Sequence, residues 1–127
     1  MDNVMHFEIP ADSVERCQKF YSEVFGWTIN PVPDMEYTIL QTAPTDKNGM
    51  LKKPGAINGG MMKRKDPILH PVITINVPDI DEYLETIEKM GGKTVMKKME
   101  VGDMGYSAYF RDTEGNIMGL WQMREKE

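Results

Sequence analysis

Cysteine is almost missing from this chain: Cys17 stands alone among 127 residues, so no internal disulfide can form. No apolar run approaches the roughly 20 residues of a membrane span, and the N-terminus lacks the basic-then-apolar pattern of a secretory signal. With a single thiol and no address for export, the expected compartment is a reducing cytoplasm, without membrane association. Positive charge is in deficit, with 15 Lys and Arg against 20 Asp and Glu, a net charge of -5 and a pI near 5.1. That balance argues against a nucleic-acid partner, which would need lysine and arginine contacts to phosphates. The one local exception, Lys63-Arg64-Lys65, reads as a solvated turn before Pro67.

Two kinds of chemistry also lack their parts. The glycines of INGGMMKRK have neither the spacing nor the context of a phosphate loop. Ser13 and Ser22 have no neighbouring histidine to activate them, and Cys17, on an apolar helix face, reads as a small buried hydrophobe.

What is present suits one compact soluble domain, with 40% hydrophobic and 28% charged residues. Met5, Phe7 and Ile9 alternate with Val4, His6 and Glu8, the period of a half-buried strand. After Pro10, Asp12 or Ser13 can cap a helix whose apolar positions run from Val14 through Cys17, Tyr21 and Val24 until Gly26 stops it. Strands are expected at about 27–30, 36–42 and 56–62, the last two separated by the polar loop APTDKNGMLKKPG. The order then recurs. Ile73, Ile75 and Val77 alternate, Ile80, Tyr83, Leu84, Ile87 and Met90 mark a second amphipathic helix ended by Gly91-Gly92, and strands follow at about 93–100, 105–111 and 117–123.

One offset of 66 positions carries Phe7 onto Ile73, Ile9 onto Ile75 and Gly26 onto Gly92, which makes the halves copies of each other. In the helices an offset of 67, pairing Asp12 with Asp79, serves as well. The expected fold class is α+β, a single domain over 1–127 made of two βαβββ modules at about 1–65 and 68–127. Neither module closes a core alone, so curved sheets should form a cup with helices on the convex face. Placing the apolar strand faces under the helices leaves His6, Glu8, Thr74 and Asn76 in that cup, where they can orient a ligand. Gly59, Gly60 and Gly119 remove side chains from strands, which suggests a bulge or room for a ligand. Trp121 shares its face with Gly119 and either reaches the ligand or packs in an interface. The twelve methionines, Met61, Met62, Met118 and Met123 among them, serve an adaptable pocket or fill the core.

HFEIPADSVERCQKFYSEVFGW, VPDIDEYLETIEKMGGK and YFRDTEGNIMGLWQ, taken in order, resemble the vicinal oxygen chelate superfamily, the glyoxalase/bleomycin resistance/dioxygenase group. In the last stretch Thr113 replaces the usual proline of the family's turn. The resemblance implies the paired βαβββ fold, a homodimer, a small organic substrate, and in many members a divalent metal acting as a Lewis acid through four ligands, two per half. His6 matches the first ligand position. Its repeat partner is Val72, the glutamate position of the last strand is Gly119, and INGGMMK offers no carboxylate or imidazole. The resemblance also puts Tyr109 against the ligand, with a core aromatic as the plain alternative.

The expectation is a small-molecule-binding protein with a degenerate metal site, needing no metal cofactor. The alternatives are a metal-dependent lyase, isomerase or dioxygenase using His6 with Glu8 or His70 and residues of a partner chain, and a non-catalytic dimeric interaction module; Glu8, if desolvated in the cup, is separately a candidate general base.

Overall fold

The computed structural model describes residues 1–47, 51–52 and 54–124. The elements are β1 (Val4–Ala11), α1 (Val14–Phe25), β2 (Thr28–Pro31), β3 (Thr38–Gln41), β4 (Asn58–Lys63), β5 (Val72–Asn76), α2 (Ile80–Lys89), β6 (Lys93–Val101), β7 (Gly105–Arg111) and β8 (Ile117–Met123). This is βαβββ twice over. Within the expected loop at 43–55, Asn48, Gly49, Met50 and Lys53 lie outside the described residues. Among the described residues no helix is long and apolar enough to cross a membrane.

By internal contacts the chain divides into two units, His6–Pro71 and a second made of Met1–Met5 with the chain from Val72 onward. In the first unit the strands lie in the order β2-β3-β4-β1, with β1 parallel to β4 and the other neighbours antiparallel. The ladder aligns Phe7, Gly59, Leu40 and Ile29 in one row. Alternation then puts Phe7, Ile9 and Ala11 on one face, where they pack with Leu40 and Met61 against Val14, Cys17 and Tyr21 of α1. Leu40 and Met61 are fully buried. Trp27, expected at the start of a strand, instead stacks on Tyr21 at 4.8 Å between ring centres.

β1 runs on through Pro10, where the alternation alone ends it. The reason is directional: Ala11 O accepts from Arg64 N at 2.8 Å, so Ala11 turns its polar groups toward β4 and Pro10 turns the other way. The missing proline N–H therefore falls outside the β1–β4 ladder.

The second unit orders its strands β5-β8-β7-β6, again with the first pair parallel and the rest antiparallel. Ile75, Ala108, Phe110 and Leu120 pack on the face that receives Ile80 and Leu84 of α2. Met118 packs there too, so Met61 and Met118 fill cores, whereas Met123 is exposed.

The caps decide between the two helical offsets. Ser13 caps α1, its side chain accepting from Arg16 N at 3.3 Å, and Asp79 caps α2, accepting from Glu82 N at 3.1 Å. Ser13 and Asp79 are 66 apart, the same offset as the strands, so the repeat is continuous from strand into helix. α1 ends on Gly26 at φ 74°, a left-handed conformation open to glycine. Replacing Ser13 by Ala is expected to cost about 1 kcal/mol, read as a shift of the urea midpoint without a change of slope.

Candidate functional site

The face of the first unit turned away from α1 carries His6, Glu8, Asn58, Gly60, Ile39 and Asn30 at its ladder positions, His6 beside Asn58 and Glu8 beside Gly60. Two of these polar side chains are drawn together by a residue outside the strands. Tyr37, just ahead of β3, lays its hydroxyl 2.7 Å from His6 Nε2 and donates to Glu8 Oε2 at 2.9 Å. His6 and Glu8 sit two apart on a strand, a separation of roughly 6 to 7 Å along the backbone. The tyrosine closes it. With Glu8 ionised, the hydroxyl gives its one proton to Glu8, and Nε2 then carries the proton of the bond to His6.

Space for Tyr37 comes from Gly60. A Cβ on Gly60 would lie 1.8 Å from the Tyr37 hydroxyl oxygen and 2.0 Å from Cζ, so only glycine tolerates the ring there. On the opposite face Gly59 does the same for Phe7, three of whose ring carbons would sit 2.6 Å from an added Cβ. The β1–β4 register is continuous across both glycines, without a bulge. The room left in β4 is thus taken up by the chain's own aromatic rings.

Burial shapes the electrostatics. Glu8 is 8% exposed, and desolvation pushes the His6 imidazole from its ordinary 6.5 down to about 4, so His6 is neutral at physiological pH. Asn58 Oδ1 accepts from Thr42 N at 2.8 Å and Ala43 N at 3.1 Å, which fixes the side chain next to His6 to the loop after β3. Neither Tyr37 nor Asn58 was singled out from the sequence. The signal that could have pointed to Tyr37 is the glycine at the position beside Glu8.

The second unit repeats the pattern in outline. Thr74, Gly119 and Tyr109 form one row across β5, β8 and β7, and Asn76, Trp121 and Ser107 form the next. Thr74 and Tyr109 are buried. An added Cβ at Gly119 would lie 2.7 Å from Thr74 Oγ1, so here a glycine in the last strand of the unit makes room for a polar side chain on its first strand. Trp121 lies against Gly105, where an added Cβ would be 2.8 Å from its ring. The turn DTEGN is built by Asp112, whose carboxylate accepts from Glu114 N, Asn116 N and Asn116 Nδ2. The Asn116 side chain, first among these donors, holds that carboxyl below the usual range.

A metal does not fit the donor atoms present. Among the described residues no three His, Cys, Asp or Glu side chains gather where they could share an ion. His6 Nε2 is already bonded to Tyr37, and His70 is exposed. A lone imidazole with one carboxylate falls short of the three or more protein ligands that firm coordination requires.

Two βαβββ units, each with a polar strand face backed by a helix-covered apolar one, define a member of the glyoxalase/bleomycin resistance/dioxygenase class. A family model, "Bleomycin resistance protein-like N-terminal", matches residues 3–43. A glyoxylase-like domain-containing protein of Didymella fabae is 33% identical over 118 residues, which are 89% of this chain and 88% of that protein. The chain therefore belongs to this superfamily, with the glyoxalase-like proteins. Solved structures carry the same fold at low identity. Methylmalonyl-CoA epimerase from Mycobacterium tuberculosis superposes with a TM-score of 0.61 at 13% identity, over 96% of this chain and 88% of that one. A superfamily member from Vibrio splendidus gives 0.60 at 14% identity, over 98% of this chain and all of the other.

Proposed function

We propose that the chain binds a small organic molecule on the polar strand face that carries His6, Tyr37 and Glu8. The observation behind this reading is the relay itself. Three polar side chains, one a nearly buried carboxylate, are held in fixed geometry on a strand face that the helix leaves uncovered. Buried polar groups cost stability unless they are paired, and pairing them around a neutral imidazole leaves a preformed hydrogen-bonding surface for a ligand. Superfamily membership supports the same reading, since relatives of this fold include an epimerase solved with methylmalonyl-CoA. On the like face of the second unit, Thr74, Asn76, Tyr109, Gly119 and Trp121 are proposed as a ligand-contacting surface of that unit.

Catalysis is the second reading, with Glu8 as the base. The observation in its favour is the Tyr37 hydroxyl standing between carboxylate and imidazole, a path along which a proton can move. We further propose that the chain works as a homodimer, which light scattering would read as twice the 14.6 kDa of one chain.

The test is a thermal-shift screen of aromatic, thiol-adduct and acyl-thioester compounds. A ligand present at about a hundred times its Kd is expected to raise the midpoint by several degrees, and the shift should vanish in Glu8→Gln. If no class shifts the midpoint, or the shift survives that substitution, the reading fails.

A further inference from the structure

His6 has two ring nitrogens, and only one is engaged. Nε2 meets the Tyr37 hydroxyl at 2.7 Å. Among the described residues no buried side-chain nitrogen or oxygen lacks a hydrogen-bond partner, so Nδ1, for which no bond exists, is open to solvent. The ionised Glu8 carboxylate can only accept, so the hydroxyl gives it the single proton a tyrosine has, and the oxygen is then left to accept from Nε2. His6 is thereby held as the Nε2–H tautomer, with a lone pair on the open Nδ1.

Gly60 makes the arrangement specific. Any other residue at that position would drive the Tyr37 ring away, since a Cβ would lie within 2.3 Å of three atoms of the phenol. The strand that the resemblance expects to supply a metal ligand supplies a gap instead, and the phenol fills it against the histidine expected to hold the metal.

We infer that Tyr37 takes the place of the metal in this protein: its hydroxyl locks His6 as the Nε2–H tautomer, so that the face receives, at Nδ1, a ligand that donates a hydrogen bond. The chemical class is a hydroxyl, amide or other N–H or O–H donor, in contrast to a pair of neighbouring oxygens chelated by a cation. This deepens the small-molecule reading and rests on it for the ligand, whereas the tautomer and the displaced metal stand on the geometry alone. Tyr37 is in this sense a positioning residue, acting through His6.

The test uses the whole chain at neutral pH. Long-range proton–nitrogen NMR of the histidine rings should show His6, assigned by its loss in His6→Gln, with its proton on Nε2 and an unprotonated Nδ1. In Tyr37→Phe, checked for folding by circular dichroism, the preference should collapse to a mixture of tautomers. Calorimetric titration with Co²⁺, Ni²⁺ and Zn²⁺ should give no binding that depends on His6. A proton on Nδ1 in the unsubstituted protein would overturn the inference, and so would one equivalent of any of these metals bound there and lost in His6→Gln. If Tyr37→Phe does not fold, the tautomer and the metal titration of the unsubstituted protein still decide. A failed ligand screen beside an Nε2–H signal would sink the small-molecule reading and leave the role of Tyr37 intact.

Discussion

Gly60→Ala is expected to destabilise the protein by about 2 to 6 kcal/mol, an effect out of proportion to the addition of one methyl group. The methyl would sit 1.8 Å from the Tyr37 hydroxyl oxygen, 2.0 Å from Cζ and 2.3 Å from Cε2, so a small adjustment of one atom cannot relieve it. The whole phenol must swing out. Overpacking of this kind typically costs about 1 to 3 kcal/mol, and the departing hydroxyl takes with it its bonds to His6 Nε2 and Glu8, each part of a largely buried network. Leaving a buried polar group unpaired adds about 1 to 3 kcal/mol. The mechanism has a sharp signature in a double-mutant cycle. In a Tyr37→Ala background the three atoms nearest the new Cβ are already gone, and Gly60→Ala should lose most of its cost. Urea denaturation of the four proteins measures the coupling. A cost for Gly60→Ala that is the same in both backgrounds would show that backbone conformation, and not the phenol, requires the glycine.

The cycle also bears on what could be read without coordinates. Strands and helices were legible because their signals are local: Met5, Phe7 and Ile9 alternate within five residues, and Ser13 and Asp79 cap helices that begin at the next residue. The 66-residue repeat adds a second, independent check on each element, and it fixes which face His6 and Glu8 occupy. The bridge between them was not legible. Tyr37 lies 31 residues from His6 and 29 from Glu8; it falls inside the strand expected at about 36–42, whereas β3 begins only at Thr38, so strand alternation is no guide to where its ring goes. Gly60 was legible as a missing side chain, and the two uses of such a gap, a ligand or the chain's own ring, leave the same trace in sequence. Choosing between them takes the ladder register that sets Gly60 beside Glu8 and the turn that aims Tyr37 back over it. The same holds for Gly119 and Thr74 in the second unit. Glycines marked the site, and long-range pairing determined what fills it.

Acid should weaken the fold through His6, by about 3 kcal/mol in all between pH 6.5 and pH 4. Burial lowers the imidazole from 6.5 to about 4, so over that window the unfolded chain binds a proton at His6 that the native chain does not. Stability therefore rises with pH there: the contribution is complete above 6.5 and is lost as pH falls to about 4, with a slope of at most about 1.4 kcal/mol per pH unit. Phe7 and Tyr37 lie beside the ring, at 6.5 and 6.4 Å between ring centres, and Glu8 is linked to it through the Tyr37 hydroxyl. Other carboxylates titrate in the same range, so the measurement is a difference. His6→Gln keeps an N–H donor for Tyr37 and removes the titration, and the unfolding free energies of the two proteins should converge or cross as pH falls from 7 to 4 while running parallel above 7. His70 is common to both proteins and cancels. Curves that stay parallel down to pH 4 would mean that His6 takes its proton as readily in the folded protein as in water, so that partial burial does not hold its imidazole neutral.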